Sequence, residues 1–278
     1  VKQSALFFVK KQQAHISLPE FLKINTFMYS AHSRIFFHES NVVTWQKAKP
    51  SGLLSPDKIE IWRIKLSSNK TRISGFYKLL APEEKTRSTS FFHEADTHRF
   101  IIGKAMLRIL LGNYLNTSPE SLTFSTGMNN KPVLNFQSKS IIDFNISHSG
   151  DYILIAIADK PVGIDIEHYN IDSGSQEIMK VVFSKKEMSF ITEQAHPDKT
   201  FYKLWTRKEA LLKATAKGLN NDIPDIPCLN GNHFVSHMQL NSYENWRVNN
   251  FNIDEQHTGS IAYTGNKQVL FKLYNGLE

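Results

Sequence analysis

Asp165 and Glu167, two acidic residues separated by one position, are the side chains whose type and spacing most directly suggest chemistry. They lie in VGIDIE, which reads as a β-strand, and side chains two apart on a strand project from the same face. Adjacent carboxylates repel unless a cation lies between them, and Mg²⁺ prefers such oxygen ligands. The alternative is a solvated strand face. Because Ile164 and Ile166 make the strand strongly apolar, we weigh the two interpretations equally.

A third carboxylate lies on the predicted helix LWTRKEALLKA. Glu209 and Lys213 are four residues apart and share a helix face with Trp205. Taken alone, this spacing favours an ordinary surface ion pair, worth only about 0.3–0.5 kcal/mol. The functional interpretation makes Glu209 a further metal ligand and Lys213 a phosphate contact.

Other polar segments are individually weak. Ser147, His148 and Ser149 lie just before or within a turn predicted at residues 148–151. They are either plain turn residues or hydrogen-bond partners of phosphate. No G-x-S-x-G segment supports a hydrolase serine. Lys131 is presented by the turn in NNKPVL. The remaining basic candidates, each a surface charge if considered singly, are Lys85, Arg87, Arg99, Lys104 and Arg108.

Composition limits the class of protein. The chain has 278 residues, of which 41% are hydrophobic and 21% charged, as in an ordinary globular protein. No apolar stretch approaches the roughly 20 residues of a membrane-spanning helix. A single cysteine, Cys228, excludes an intramolecular disulfide and suits a reducing compartment, so we expect a cytoplasmic protein. The net charge of +7 favours anionic partners without choosing among them.

Residues 1–56 differ from the rest. The first fifty carry seven basic residues against Glu20 and Glu39, and their aromatic residues follow no steady period. We expect an N-terminal extension, disordered or misassigned, that the fold does not need. The motif-bearing region begins at the predicted strand IEIWRIKL.

The remaining chain repeats one order of elements. A strand, a short helix near Pro82 and the long helix THRFIIGKAMLRILLGNYL come first. Then VGIDIE, a helix with the capping box Ser184-x-x-Glu187 and a long helix ending at Gly218 follow, at an offset of 103 residues. The pattern predicts an α+β fold of two similar α/β subdomains, residues 57–160 and 161–278, with an active site in the cleft between them. Four short C-terminal strands are expected to complete the second sheet as an antiparallel meander.

The order of the motifs points to a family. HRFIIGKAMLRILLGNYL, NNKPVL, FNISHSG, VGIDIE, FSKKE and LWTRKEALLKATAKGL together resemble the Sfp-type 4'-phosphopantetheinyl transferases. The most diagnostic part is G-I-D-I-E followed some forty residues later by W-x-x-K-E-x-x-x-K. The resemblance covers about Ile59 to Leu219, continues loosely through the C-terminal strands and leaves out residues 1–56.

The resemblance implies a fold and roles for particular residues. In that family the two subdomains are related by a pseudo-twofold axis and coenzyme A lies between them. By position, the metal ligands are Asp165, Glu167 and Glu209, the catalytic residues are Glu209 and Lys213, and the coenzyme A contacts are Arg87, Lys131, Ser147, His148 and Lys213. Three positions depart from the family pattern, with Ser90 and Lys104 in place of frequent arginines and Glu84 in place of a basic phosphate ligand.

The implied reaction is attack of a carrier-protein serine on the β-phosphorus of coenzyme A, with Mg²⁺ and release of adenosine 3',5'-bisphosphate. Glu209 deprotonates the serine directly or through a metal-bound water; both remain open. The expected partners are coenzyme A and acidic acyl or peptidyl carrier proteins. We expect a monomer with neither nucleic-acid nor membrane partners. The alternatives are a Mg²⁺-dependent nuclease or phosphatase, and a basic nucleic-acid-binding module, although no nucleic-acid motif is recognisable.

Overall fold

The computed structural model describes residues 32–40, 43–47, 54, 57–135, 142–170, 175–219 and 222–276. In chain order, the strands are β1 (His32–Ser40), β2 (Gln46–Lys47), β3 (Lys58–Lys65), β4 (Phe124–Thr126), β5 (Pro132–Leu134), β6 (Asp143–Ser149), β7 (Tyr152–Ala158), β8 (Val162–His168), β9 (Gly231–Ser236), β10 (Trp246–Asn252), β11 (His257–Thr264) and β12 (Leu270–Asn275). The helices are α1 (Ile73–Lys78), α2 (Pro82–Ser88), α3 (Glu94–Leu115), α4 (Ser175–Val182), α5 (Lys185–Thr192), α6 (Pro197–Ala214) and α7 (His237–Leu240).

Two five-stranded sheets form the centre of the protein. The first has the order β2-β12-β3-β7-β6 and the second β8-β11-β10-β1-β9, while β4 and β5 form a separate hairpin. Helix α3 covers the first sheet and α6 covers the second, each over its own apolar core. The opposite faces of the sheets share a third core, which includes Ile61 and Leu154 from one sheet and Ile164 and Ile261 from the other. The layers therefore run helix, sheet, sheet, helix.

The two halves repeat one plan, as the sequence predicts. Elements α2, α3 and β6 begin at residues 82, 94 and 143, and adding 103 gives 185, 197 and 246, where α5, α6 and β10 begin. Strand order repeats too, β3-β7-β6 in one half and β8-β11-β10 in the other. The predicted α+β class with two similar halves is thus confirmed.

Helix starts follow the local sequence. Ser184 accepts the Glu187 N–H at 3.3 Å, and Glu187 accepts the Ser184 N–H at 2.9 Å, which is the predicted capping box. Pro82 occupies the first turn of α2, where its missing N–H removes no helical bond. Helix α6 ends at Ala214 rather than at Gly218, because Ala216 and Gly218 both adopt the left-handed conformation, with φ of 52° and 71°.

Strand β1 corrects the prediction that residues 1–56 lie outside the fold. It pairs in parallel with β10 and antiparallel with β9, so it lies inside the second sheet. Ser33, Ile35 and Phe37 are buried while their neighbours alternate outward. The prediction is wrong for His32–Ser40 and for Gln46–Lys47, which pairs with β12. Residues 1–31 lie outside the described residues.

The C-terminal strands also differ from the expected meander. β10 and β11 pair antiparallel as predicted, but β1 separates β9 from β10. The last strand, β12, crosses to the first sheet, where it runs parallel to β3. Each sheet therefore takes a strand from the opposite end of the chain. None of the helices in the described ranges has the length and apolarity to span a bilayer.

Candidate active site

The carboxylates of Asp165 and Glu167 lie on the same side of β8. The alternate residues Ile164 and Ile166 are buried between the sheets, which turns the acidic side chains toward α6. Lys213 Nζ lies 2.6 Å from Asp165 Oδ1, and Trp205 Nε1 donates to Glu167 Oε1 at 3.1 Å. The strand face is thus covered by a helix, with Asp165 only 4% exposed, so the alternative of a solvated face does not hold for Asp165.

Lys213 is bound across the site, to β8 and β6. Besides Asp165, its ammonium donates to Ser147 Oγ at 3.0 Å, and Ser147 Oγ donates to the same Asp165 oxygen at 2.8 Å. Desolvation opposes the charged form, but Asp165 and Glu209 raise the pKa of Lys213. The lysine is therefore a cation held against the carboxylates, rather than half of a helix-surface ion pair.

Two carboxylate oxygens of the site, Asp165 Oδ2 and Glu209 Oε1, are buried and have no hydrogen-bond partner among the described residues. Desolvation raises the pKa of Glu209 to about 7; Asp165 and Glu167 add to the shift and Lys213 opposes it. Desolvation, followed by the charge of Asp165, raises the pKa of Glu167 to about 7. The site holds more negative charge than one lysine neutralises.

These donors suit a hard divalent cation. Unpaired, buried carboxylate oxygens are what an oxygen-preferring ion such as Mg²⁺ would satisfy. Among the described residues, however, no three acidic, histidine or cysteine side chains are already grouped as a metal site. Asp165 uses one oxygen for Lys213, so a metal would have to share Asp165 with that lysine or displace it.

Ser147 and His148 are both in strand β6, so the turn predicted at residues 148–151 is confined to Gly150–Asp151. They point to opposite sides, as neighbours on a strand do. Ser147 faces Asp165, whereas His148 is exposed. Partial desolvation, with the nearby charges of Arg99 and Lys213, lowers the pKa of His148 to about 4. His148 is therefore neutral at pH 7.

A ladder of side chains joins the two sheets at their edges. Every second residue of β6 is polar and reaches the neighbouring edge strand β8. Three backbone N–H groups of β8 donate to these side chains: Val162 to Asp143 at 2.9 Å, Ile164 to Asn145 at 2.9 Å and His168 to Ser149 at 3.0 Å. The sequence analysis missed this role, although the alternation D-x-N-x-S-x-S in DFNISHS was a visible signal.

A cleft of about 210 Å³ separates the β4–β5 hairpin from α6. Lys131 lines it opposite Glu209 and Lys213, and its Nζ donates to Asp143 at 2.8 Å and to the Val162 carbonyl at 3.1 Å. Asn129, a residue that the sequence did not single out, donates to the carbonyls of Ala216 and Lys217 at 2.8 and 2.6 Å. It ties the hairpin to the end of α6.

The other basic candidates lie elsewhere. Arg87 is exposed on α2, with its guanidinium 5.6 Å from the centre of the Phe100 ring, outside the lining of the cleft. Arg108 is buried and donates to Glu84 at 2.8 Å, and Lys104 lies 3.5 Å from the same carboxylate. Glu84 also accepts the Ala81 N–H at 3.1 Å. The departure from the family pattern at Glu84 is thus a helix cap with its own buried counterions.

Cys228 is buried and donates from Sγ to Glu187 at 3.1 Å. Burial raises the pKa of its thiol well above the usual value. A thiol held in this protonated form is a packing residue and not a nucleophile.

Two similar halves, with a cleft lined by Lys131 on one side and by Glu209 and Lys213 on the other, define an enzyme suited to a phosphorylated substrate. Residues 161–264 match the 4'-phosphopantetheinyl transferase superfamily, and residues 66–160 match the family described as 4'-phosphopantetheinyl transferase, N-terminal.

Individual relatives agree. The chain is 31% identical over 182 residues to the 4'-phosphopantetheinyl transferase HetI of Nostoc sp. The aligned region covers 63% of this chain and 76% of HetI. It is 33% identical over 147 residues to Sfp of Bacillus subtilis, covering 52% of this chain and 64% of Sfp. The gsp protein of Aneurinibacillus migulanus is 28% identical over 70% of both chains. The chain belongs to the 4'-phosphopantetheinyl transferase superfamily and is of the Sfp type.

Proposed function

We propose that this enzyme transfers the 4'-phosphopantetheine group of coenzyme A to a serine hydroxyl of an acyl or peptidyl carrier protein, in the presence of Mg²⁺. The serine oxygen forms a bond to the β-phosphorus of coenzyme A, the bond from that phosphorus to the bridging oxygen breaks, and adenosine 3',5'-bisphosphate leaves. Membership of the superfamily supports the reaction class, and it disfavours a nuclease, a phosphatase and a nucleic-acid-binding module.

The observation that carries the proposal is that Asp165, Glu167 and Glu209 all act electrostatically on Lys213, while Asp165 Oδ2 and Glu209 Oε1 have no hydrogen-bond partner among the described residues. These three acids are the residues proposed to hold Mg²⁺. The ion would supply positive charge to the pyrophosphate, where negative charge develops during phosphoryl transfer. The position of the site at the cleft with Lys131 supports binding of an extended, polyanionic donor.

Each side chain has a role in the proposed reaction. Glu209 accepts the proton of the carrier serine as a general base. Lys213 neutralises phosphate charge once it turns from Asp165 toward the substrate. Lys131, Arg87, Ser147 and neutral His148 contribute coenzyme A contacts through cationic or hydrogen-bond donors. The net charge of +7 favours the approach of acidic carrier proteins. The enzyme is further proposed to act as a monomer in the cytoplasm.

The decisive experiment is intact-mass analysis of acyl and peptidyl carrier proteins after incubation with coenzyme A, Mg²⁺ and the enzyme. We expect a mass gain of one phosphopantetheine, stoichiometric release of adenosine 3',5'-bisphosphate, and loss of both in EDTA with recovery on adding Mg²⁺. A carrier in which alanine replaces the acceptor serine is the control. Hydrolysis of phosphodiesters or phosphomonoesters without any need for coenzyme A would contradict the proposal.

A further inference from the structure

Glu167 is held by two hydrogen-bond donors that come from different parts of the fold. Trp205, on α6, donates from Nε1 to one carboxylate oxygen at 3.1 Å. Ser149, at the end of β6, donates from Oγ to the other oxygen at 3.1 Å. Helix α6 belongs to the second half and β6 to the first, so the orientation of this carboxylate depends on both halves of the protein.

The direction of these bonds is fixed by donor chemistry. An indole N–H can only donate. Ser149 Oγ already accepts the backbone N–H of His168 at 3.0 Å, which leaves its single hydroxyl proton to donate to Glu167. An ionised carboxylate accepts about four hydrogen bonds or metal contacts. Two sites on Glu167 are thus used by Trp205 and Ser149, and the carboxylate plane is set by their positions.

We propose that Ser149 and Trp205 are positioning residues that orient Glu167 toward a divalent cation. The proposal rests on the proposed function, because Glu167 is a metal ligand there. Neither side chain lines the cleft that holds Lys131, Glu209 and Lys213. Partners that orient a ligating carboxylate typically change metal affinity by about 10- to 100-fold when removed.

Ser149 also makes a second hydrogen bond, to the backbone beside Glu167. Its oxygen anchors the N–H of His168, the residue after Glu167, so one hydroxyl fixes both the backbone and the carboxylate of the ligand. Replacing Ser149 by alanine removes both bonds. Replacing it by threonine keeps the hydroxyl in a β-branched residue that strands accept.

The test is a titration of the whole chain with Mn²⁺, in which free and bound Mn²⁺ are measured by electron paramagnetic resonance. We expect Ser149→Ala and Trp205→Phe each to weaken Mn²⁺ binding by roughly tenfold, and Ser149→Thr to stay within about threefold of wild type. Ser67→Ala is the matched control, since Ser67 Oγ also donates to a carboxylate, Asp151, outside the site. It should bind Mn²⁺ as wild type does.

Coenzyme A binding measured by calorimetry in EDTA separates positioning from general damage. It should be unchanged in Ser149→Ala and Trp205→Phe, because neither residue lines the cleft proposed to bind the donor. Wild-type Mn²⁺ affinity in Ser149→Ala, or equal losses of Mn²⁺ and coenzyme A affinity, would overturn the positioning role alone. Absence of Mn²⁺ binding by the wild-type chain would overturn the metal assignment of the proposed function, and the positioning role with it.

Discussion

The contact between a strand and the long helix that covers its sheet, which we call the seam, is built twice in this protein, with opposite chemistry. In the second half, β8 and α6 meet at Asp165, Glu167, Glu209 and Lys213. Subtracting 103 from these numbers gives Trp62, Ile64, Met106 and Leu110, all of them buried in the apolar core between β3 and α3. The same geometry thus forms a hydrophobic seam in one half and an ionic seam in the other.

Other features do not diverge in this way. Glu84 and Glu187 are also 103 residues apart; each caps a short helix and binds a buried cation of the next helix, Arg108 in one half and Lys208 in the other. A feature kept in both halves supports the fold. The seam between β8 and α6 lowers the stability of the folded chain, because its unpaired carboxylates are buried. We attribute this difference between the halves to function.

We expect the largest effect on folding from removing β1, a strand inside the sheet of the second half. A chain shortened to residues 56–278 should fail to give soluble folded protein, since β9 and β10 lose their shared partner and the core loses Ile35 and Phe37. A chain of residues 32–278 is the control and should fold. The measurement is the yield of soluble protein and its thermal unfolding. Cooperative unfolding of the shorter chain at the temperature of the longer one would contradict this expectation.

Alanine substitutions in the ionic seam should affect activity, and those in the hydrophobic seam should affect stability. Asp165→Ala and Glu209→Ala are expected to lower kcat by at least roughly a hundredfold, as loss of a major electrostatic stabiliser does, with little loss of stability. Glu209→Ala should keep or raise Tm, because it removes an unpaired buried oxygen. Met106→Ala, the counterpart of Glu209, should instead lower the free energy of unfolding by about 2–5 kcal/mol and leave kcat intact.

These outcomes are read from carrier-protein mass gain and from thermal and urea unfolding in EDTA. The comparison fails if Met106→Ala lowers kcat of the folded enzyme as much as Glu209→Ala does. It also fails if either carboxylate variant modifies the carrier at a near-normal rate.

A smaller effect should appear in the pH dependence of stability. The pKa of Glu209 is about 7 in the folded chain against an ordinary value of 4.5, so the folded state holds its proton more tightly than the unfolded state. Stability from this group is therefore present below about pH 4.5 and declines as pH rises toward 7. In EDTA, the Tm of wild type should fall relative to Glu209→Gln between these values. A constant difference across this range would contradict the assignment.

Much of the fold followed from local sequence. The strand and helix starts and the offset of 103 rest on periodicity, capping residues and proline, which act within a few positions. The failures concern pairing between distant strands. β1 was missed although Ser33, Ile35 and Phe37 alternate with outward residues, and the crossing of β12 to the first sheet depends on which sheet edge is free, which no local pattern encodes.

The site was predictable in part. Strand periodicity placed Asp165 and Glu167 on one face, and the resemblance added Glu209 and Lys213. The pairing of Lys213 with Asp165, and the donors Ser149 and Trp205 on Glu167, arise from contacts between segments 18 to 48 residues apart. Such contacts are set by the packing of elements distant in sequence and have no short-range signature.

The exchange of end strands between the sheets has a consequence for the order of folding. The first sheet includes β12, so it cannot be completed until residues 270–275 leave the ribosome, and β1, made first, must wait for β10. Pairings of such long sequence separation slow folding and leave unpaired strand edges exposed in the meantime. The two sheets are therefore completed only late in synthesis, and the strands that await β10 and β12 are open to aggregation until then.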